Sequence, residues 1–123
     1  MKVYTSSYWK YDGNQGVQIS MTKPSGKFTY RAIPCLMPTW PMLKAWNDVK
    51  SLPDDNPKKL AAWDKYTKEY WELLVRIGPE NIIAKLSDGD VLLCWCNKRK
   101  FCHRTILAEF LRRNGVEVEE YGT

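Results

Sequence analysis

The stretch that most limits the fold is the last third of the chain. Residues 90–96 hold the apolar run VLLCWC and read as a strand. A basic loop follows. Over residues 105–114 the apolar positions Ile106, Leu107, Phe110 and Leu111 fall on one face of a helix, and Gly115 suits its stop. Residues 116–121 read as a closing strand. Strand, loop, helix, strand is the order of a parallel crossover unit, because parallel neighbours need a connection long enough to return to the same end of the sheet. Residues 2–9, KVYTSSYW, read as a further strand that ends in small polar residues. Binding groups in such sheets collect beyond the carboxyl ends of the strands. Thr5, Ser6 and Ser7 lie at that end of the first strand, and residues 94–104 at that end of the penultimate one. The two segments meet if the strands are neighbours, which is the arrangement expected. The predicted fold is α/β: a single three-layer domain over residues 1–123, with a small, mostly parallel sheet flanked by helices.

The middle of the chain fits this plan. Residues 17–21, VQISM, alternate with period two and read as a short strand. Residues 28–41 are apolar but carry three prolines, which lack the donor a central strand or helix needs, and are expected to form an ordered loop packed through its aromatics. A short helix is expected over residues 42–49. The clearest helix spans residues 57–77, with Asn56 as its cap, Pro57 at the first position and Gly78 as its stop. Leu60, Trp63, Thr67, Tyr70, Leu74 and Ile77 recur at three- and four-residue steps and predict the face that packs on the sheet. Ile82, Ile83 and Leu86 suggest a further short turn or helix.

At 123 residues, 44% of them apolar and 27% charged, the chain suffices for one hydrophobic core. The first ten residues hold no apolar run of the signal-peptide kind, and no stretch approaches the roughly 18 apolar residues of a membrane span. A cytoplasmic location without membrane partners is therefore expected, with the four cysteines reduced. The formal charge of +5 permits an anionic partner, a small molecule or a nucleic-acid component. The composition is silent on protein partners. Of six tryptophans and seven tyrosines, some belong in the core and others suit a pocket wall.

Three of the four cysteines and the only histidine fall in VLLCWCNKRKFCHR, residues 91–104. Cys94 and Cys96 are two apart on a strand and share a face, with Trp95 pointing away. Cys102 and His103 stand at the start of the next helix, and Arg104 in its first turn. Free amides there, and a guanidinium beside them, favour an anion and lower a thiol's pKa. Cys102 is the nucleophile this pattern selects, with Arg104 as anion cradle. The same residues have plainer uses. Cys94 and Cys96 suit a core, Lys98 to Lys100 a solvated loop, and His103 a hydrogen bond that holds the loop. Zinc is disfavoured because C-x-C-x5-C-H lacks paired C-x2-C knuckles, so no metal and no cofactor is expected. The cysteine-phosphatase spacing, G-x-G-x-x-G and the Walker A pattern are all absent.

LLCWCNKRKFCHRTILAEFL, residues 92–111, resembles the domain-of-unknown-function family 488 (DUF488), whose members show a strand ending in Leu-Leu-Cys, a short loop, Cys-His-Arg and an amphipathic helix. YTSSYW is similar to the family's opening strand and turn, and ISM and YRAIPCLMP fit more loosely. The resemblance implies a compact α/β domain and highlights Cys94, Cys102, His103 and Arg104. Many relatives carry tyrosine and then glutamate after the first cysteine, where this chain has Trp95 and Cys96. The expected catalytic set is therefore Cys102, His103, Arg104 and Cys94. Thr5, Ser6, Ser7, Arg31 and Arg104 are the ligand-binding candidates. Two function classes follow: a thiol-dependent enzyme on a nucleotide or nucleic-acid component, and a non-catalytic module that binds nucleic acid or protein.

Overall fold

Parallel pairing is complete in the computed structural model of the chain, which describes residues 1–24, 30–96 and 100–122. The strands are β1 (Lys2–Ser7), β2 (Gly16–Gln18), β3 (Arg31–Ala32), β4 (Val91–Cys94) and β5 (Glu117–Glu120). They form one sheet in the order β3-β2-β4-β1-β5, and every neighbouring pair runs parallel. β4 is thus central and lies beside β1, with Ser7 opposite Cys94 and Thr5 opposite Leu92. The expected adjacency of the first strand and the cysteine strand holds.

Among the described residues the α-helices are α1 (Trp40–Asn47), α2 (Pro57–Ile77), α3 (Pro79–Ile83) and α4 (His103–Arg113), preceded by a 3-10 turn at Pro34–Leu36. Val3, Val17, Leu92 and Val118 of the sheet share one core with Met42, Tyr70, Leu74, Ile82 and Leu107 of these helices. A fully buried leucine in such a core contributes about 1.5–3 kcal/mol. Side chains alternate along β4, so Val91 and Leu93 face the other way, where Tyr8 and Tyr11 cover them with Tyr4 and Tyr30 alongside. The layer on that face is made of loop and strand aromatics. None of the helices described is long and apolar enough to cross a membrane.

The cap of α2 forms as the sequence predicts: Asn56 Oδ1 accepts from the Lys58 amide at 2.9 Å and the Lys59 amide at 3.4 Å. Its buried stripe is rotated from the expected one. Leu60 is 44% exposed, while Lys59 and Tyr66 are buried. Lys59 goes inward because its stem is apolar and its ammonium reaches the Leu52 carbonyl at 2.9 Å and Asp54 at 2.8 Å. α1 begins two residues earlier than expected. β3, two residues at the sheet edge, was not foreseen within the proline-rich segment. α4 begins at His103 rather than 105, since Cys102 is extended and its carbonyl accepts from the Thr105 amide at 3.0 Å. Gly115, at φ 89°, closes it in the left-handed region that glycine tolerates.

Candidate functional site

The carboxyl end of the central strand meets the start of α4, and there three sulfurs converge. Cys94 and Cys96 project to one side of the strand line, and Cys102 comes to them from the helix cap. Their Sγ atoms all lie within 4.8 Å of one another, close enough to ligate a single metal ion. Cys94 and Cys102 are in S–H···S contact at 2.7 Å, and all three are free thiols. Cys94 and Cys102 are sealed from solvent, and Cys96 is half-buried. Hydrogen bonds from Cys102 and then Cys94 hold the Cys96 thiol well below the ordinary range, against the cost of burial and with help from the charges of Arg104 and Lys50. Cys102 is pushed up, first by its hydrogen bonds with Cys94 and Cys96, then by burial.

Arg104 stands behind the sulfurs and is wholly buried. Its Nε and Nη2 grip Glu120, at 3.2 Å to Oε1 and 2.8 Å to Oε2. Thr5 Oγ1 donates to the same Oε1 at 2.7 Å. Arg104 Nη1 turns to the cluster, donating to Cys94 Sγ at 3.2 Å and to the Cys96 carbonyl, with Cys102 Sγ at 3.8 Å. Burial opposes the guanidinium's charge, and the neighbouring sulfurs of Cys94 and Cys102 and the hydrogen bonds to Cys94 and Glu120 outweigh it. An open anion cradle at Arg104 is thus not what the fold builds. The fork is saturated by internal partners, and its charge is directed at sulfur.

His103 Nε2 is 2.9 Å from the Ile19 carbonyl, to which it donates, and the ring meets Tyr70 edge-on. Burial pushes its pKa down, so it is neutral and Nδ1 is the acceptor nitrogen. His103, Cys94 and Cys96 all border a cavity of about 450 Å³. Trp40, Trp46, Tyr66, Trp95 and Phe101 supply its aromatic walls, and Ser20, Thr22 and Asn47 supply polar edges. Lys50 is the one charged side chain among its described lining residues, so no carboxylate borders it there. The volume falls in the range of small-molecule sites.

The ligand-binding candidates from the sequence lie elsewhere. Thr5, Ser6 and Ser7 are buried, and none borders the cavity. They are sealed because the strand they end lies inside the sheet, between β4 and β5. Thr5 serves by positioning Glu120. Arg31 sits at the amino end of β4, where its guanidinium meets Asp90 at 2.9 Å and the Lys85 carbonyl at 2.7 Å. Of the basic cluster, Lys98 and Arg99 lie outside the described residues, and Lys100 pairs with Asp54 at 3.6 Å. Sequence reasoning missed Glu120, Lys50, Tyr66 and Trp46, and read Cys96 as a core residue outside the catalytic set. Glu120 had a signal: in EVEE it shares a face with Val118, and a carboxylate on a core face needs a cation.

Parallel strands, a thiol cluster at the carboxyl end of the central one and a buried Arg–Glu pair behind it define a small α/β thiol-cluster protein. The family model DUF488-N3a, described as the active DUF488-N3 subclade, matches residues 13–115, and the chain belongs to this family. No curated protein and no solved structure matches it significantly.

Proposed function

We propose that this protein is a thiol-dependent enzyme of the cytoplasm, with Cys96 as nucleophile toward an anionic substrate that carries a flat aromatic group, of the nucleotide or nucleic-acid-component class. The observation that carries this is the position of Cys96: of the three clustered thiols it is the one not sealed from solvent, and it opens on the aromatic cavity. Ring faces accept a base by stacking, and Lys50 offers the counter-charge for its anionic part. Cys102 and Cys94 act as hydrogen-bond partners of the attacking sulfur. Arg104 is a positioning residue that acts through those sulfurs and the Cys96 carbonyl, and neutral His103 offers an acceptor nitrogen. The description of the matched subclade as active agrees with an enzyme.

Site-resolved alkylation against pH, read by peptide mass, tests this. Cys96 is expected to label well below pH 8 and ahead of Cys102, and a nucleoside monophosphate is expected to slow it. Reaction of Cys96 only like an ordinary thiol of pKa about 8.5 removes the nucleophile. The second reading, a non-catalytic module binding nucleic acid or protein, then takes precedence. It is favoured by Trp9, Trp40 and Trp95, which are 54%, 59% and 41% exposed.

A further inference from the structure

We propose that the three-thiol cluster reduces one equivalent of a hydroperoxide and ends as a buried Cys94–Cys102 disulfide. The disulfide rests on the cluster geometry, whereas entry of the oxidant at Cys96 rests on the reading of Cys96 as nucleophile. Cys96 faces the cavity and is the point of entry. Two further thiols stand within 4.8 Å of its sulfur, so an oxidised Cys96 has resolving partners already in place.

The chemistry balances in three steps. The Cys96 sulfur attacks the hydroperoxide, so that an S–O bond forms, the O–O bond breaks and the alcohol leaves with a proton. Cys96 is then a sulfenic acid. Cys102 attacks that sulfur next. An S–S bond forms, the S–O bond breaks, and hydroxide departs as water with the Cys102 proton. Cys94 finally attacks the Cys102 sulfur, releasing Cys96 as a thiol with the Cys94 proton. In sum, two thiols are oxidised to a disulfide, and the hydroperoxide becomes an alcohol and water. No reductant is needed for this single turnover.

Geometry selects the end point. Cys94 Sγ and Cys102 Sγ already lie 2.7 Å apart, so the bond needs a contraction of under about 1 Å to reach disulfide length. Both are shielded from solvent, which protects the product from soluble thiols.

The test uses reduced full-length protein under anaerobic conditions with one equivalent of hydrogen peroxide, quenched by alkylation. Two thiols are expected to vanish per peroxide, with a peptide linkage between Cys94 and Cys102. Cys35, in the Pro34–Leu36 turn outside the cluster, and Cys96 are expected to remain free. Cys96→Ser should slow oxidation more than ~10-fold, because the thiolate rather than the thiol is the nucleophile. Four free thiols after peroxide, or irreversible oxidation of Cys96 with no linkage, overturn the inference. So does an unchanged rate in Cys96→Ser. If Cys96 alkylates readily at neutral pH yet no linkage forms, this inference falls alone. If the linkage forms while Cys96 of the reduced protein alkylates like an ordinary thiol, the enzyme reading falls and the disulfide stands.

Discussion

Glu120 and Arg104 set the charge of the site from inside the core. With the carboxylate removed, the guanidinium keeps its burial and loses two of its hydrogen bonds. Glu120→Ala is expected to cost about 3–5 kcal/mol of stability, the range for breaking a buried ion pair from one side. Denaturant midpoints measure it, and a cost under ~1 kcal/mol, as for an exposed pair, refutes the assignment. His103 gives a prediction with a sign. Burial, joined by the Arg104 charge, depresses its pKa against opposing effects from Cys94 and the Ile19 carbonyl. The neutral ring is therefore favoured in the fold. Its contribution is full above the unfolded histidine value of about 6.5 and is lost as pH falls through the folded value, because the unfolded chain takes up the proton first. Urea midpoints from pH 8 to pH 5 should fall less steeply in His103→Asn than in the wild type. Parallel curves for the two proteins refute it. Cys102 looked like the reactive thiol in the sequence because a helix start and an arginine adjoin it. The fold buries it and gives the open position to Cys96, since which sulfur faces a cavity depends on α1 and α2, far off in sequence.

Among the elements, α2 and the body of α4 were legible because their apolar residues repeat with the helical period over many positions. All of Ile106, Leu107, Phe110 and Leu111 are buried as expected. The start of α4 was not legible. Cysteine is a poor cap signal, and Cys102 makes no side-chain cap bond, so the first clear helical residue appeared to be Thr105. β3 was hidden because two paired residues at an edge, both exposed, leave no alternation to read. Leu60 was misplaced because hydrophobicity scales rank leucine above lysine, while the fold satisfies Lys59 with a carbonyl, a carboxylate and the face of Phe101 at 4.8 Å. The Asn56 cap, read correctly, carries a measurable weight. Asn56→Ala is expected to lower stability by about 1 kcal/mol, seen as a lower thermal midpoint, while Asn56→Asp should retain it. An unchanged midpoint in the alanine variant would show that Pro57 alone starts the helix.

Across the whole molecule, the site is a product of topology. The crossover through α4 brings its cap to the end of β4, and β5 then delivers Glu120 from the far side of β1. This much follows from the strand–helix–strand order, which the sequence shows. The cavity needs α1 and α2 as well, and their docking leaves no local pattern. One core cluster draws residues from β1, β2, β4, β5 and all four helices. Cys94 and Cys102 belong to it and Cys96 packs against it, with Arg104 donating to the Cys94 sulfur. Such a core is expected to fold without a metal staple, with its elements unfolding together. The expected outcome is a single urea transition that coincides by tryptophan fluorescence and far-UV circular dichroism, with the same midpoint before and after dialysis against a chelator. The sulfurs are close enough to bind an ion at the usual zinc–sulfur distance of about 2.3 Å, so the alternative is concrete. A midpoint that drops on chelation and is restored by zinc, together with stoichiometric zinc that Cys102→Ser loses, would make the cluster a structural metal centre. Cys96 would then be a ligand rather than a nucleophile.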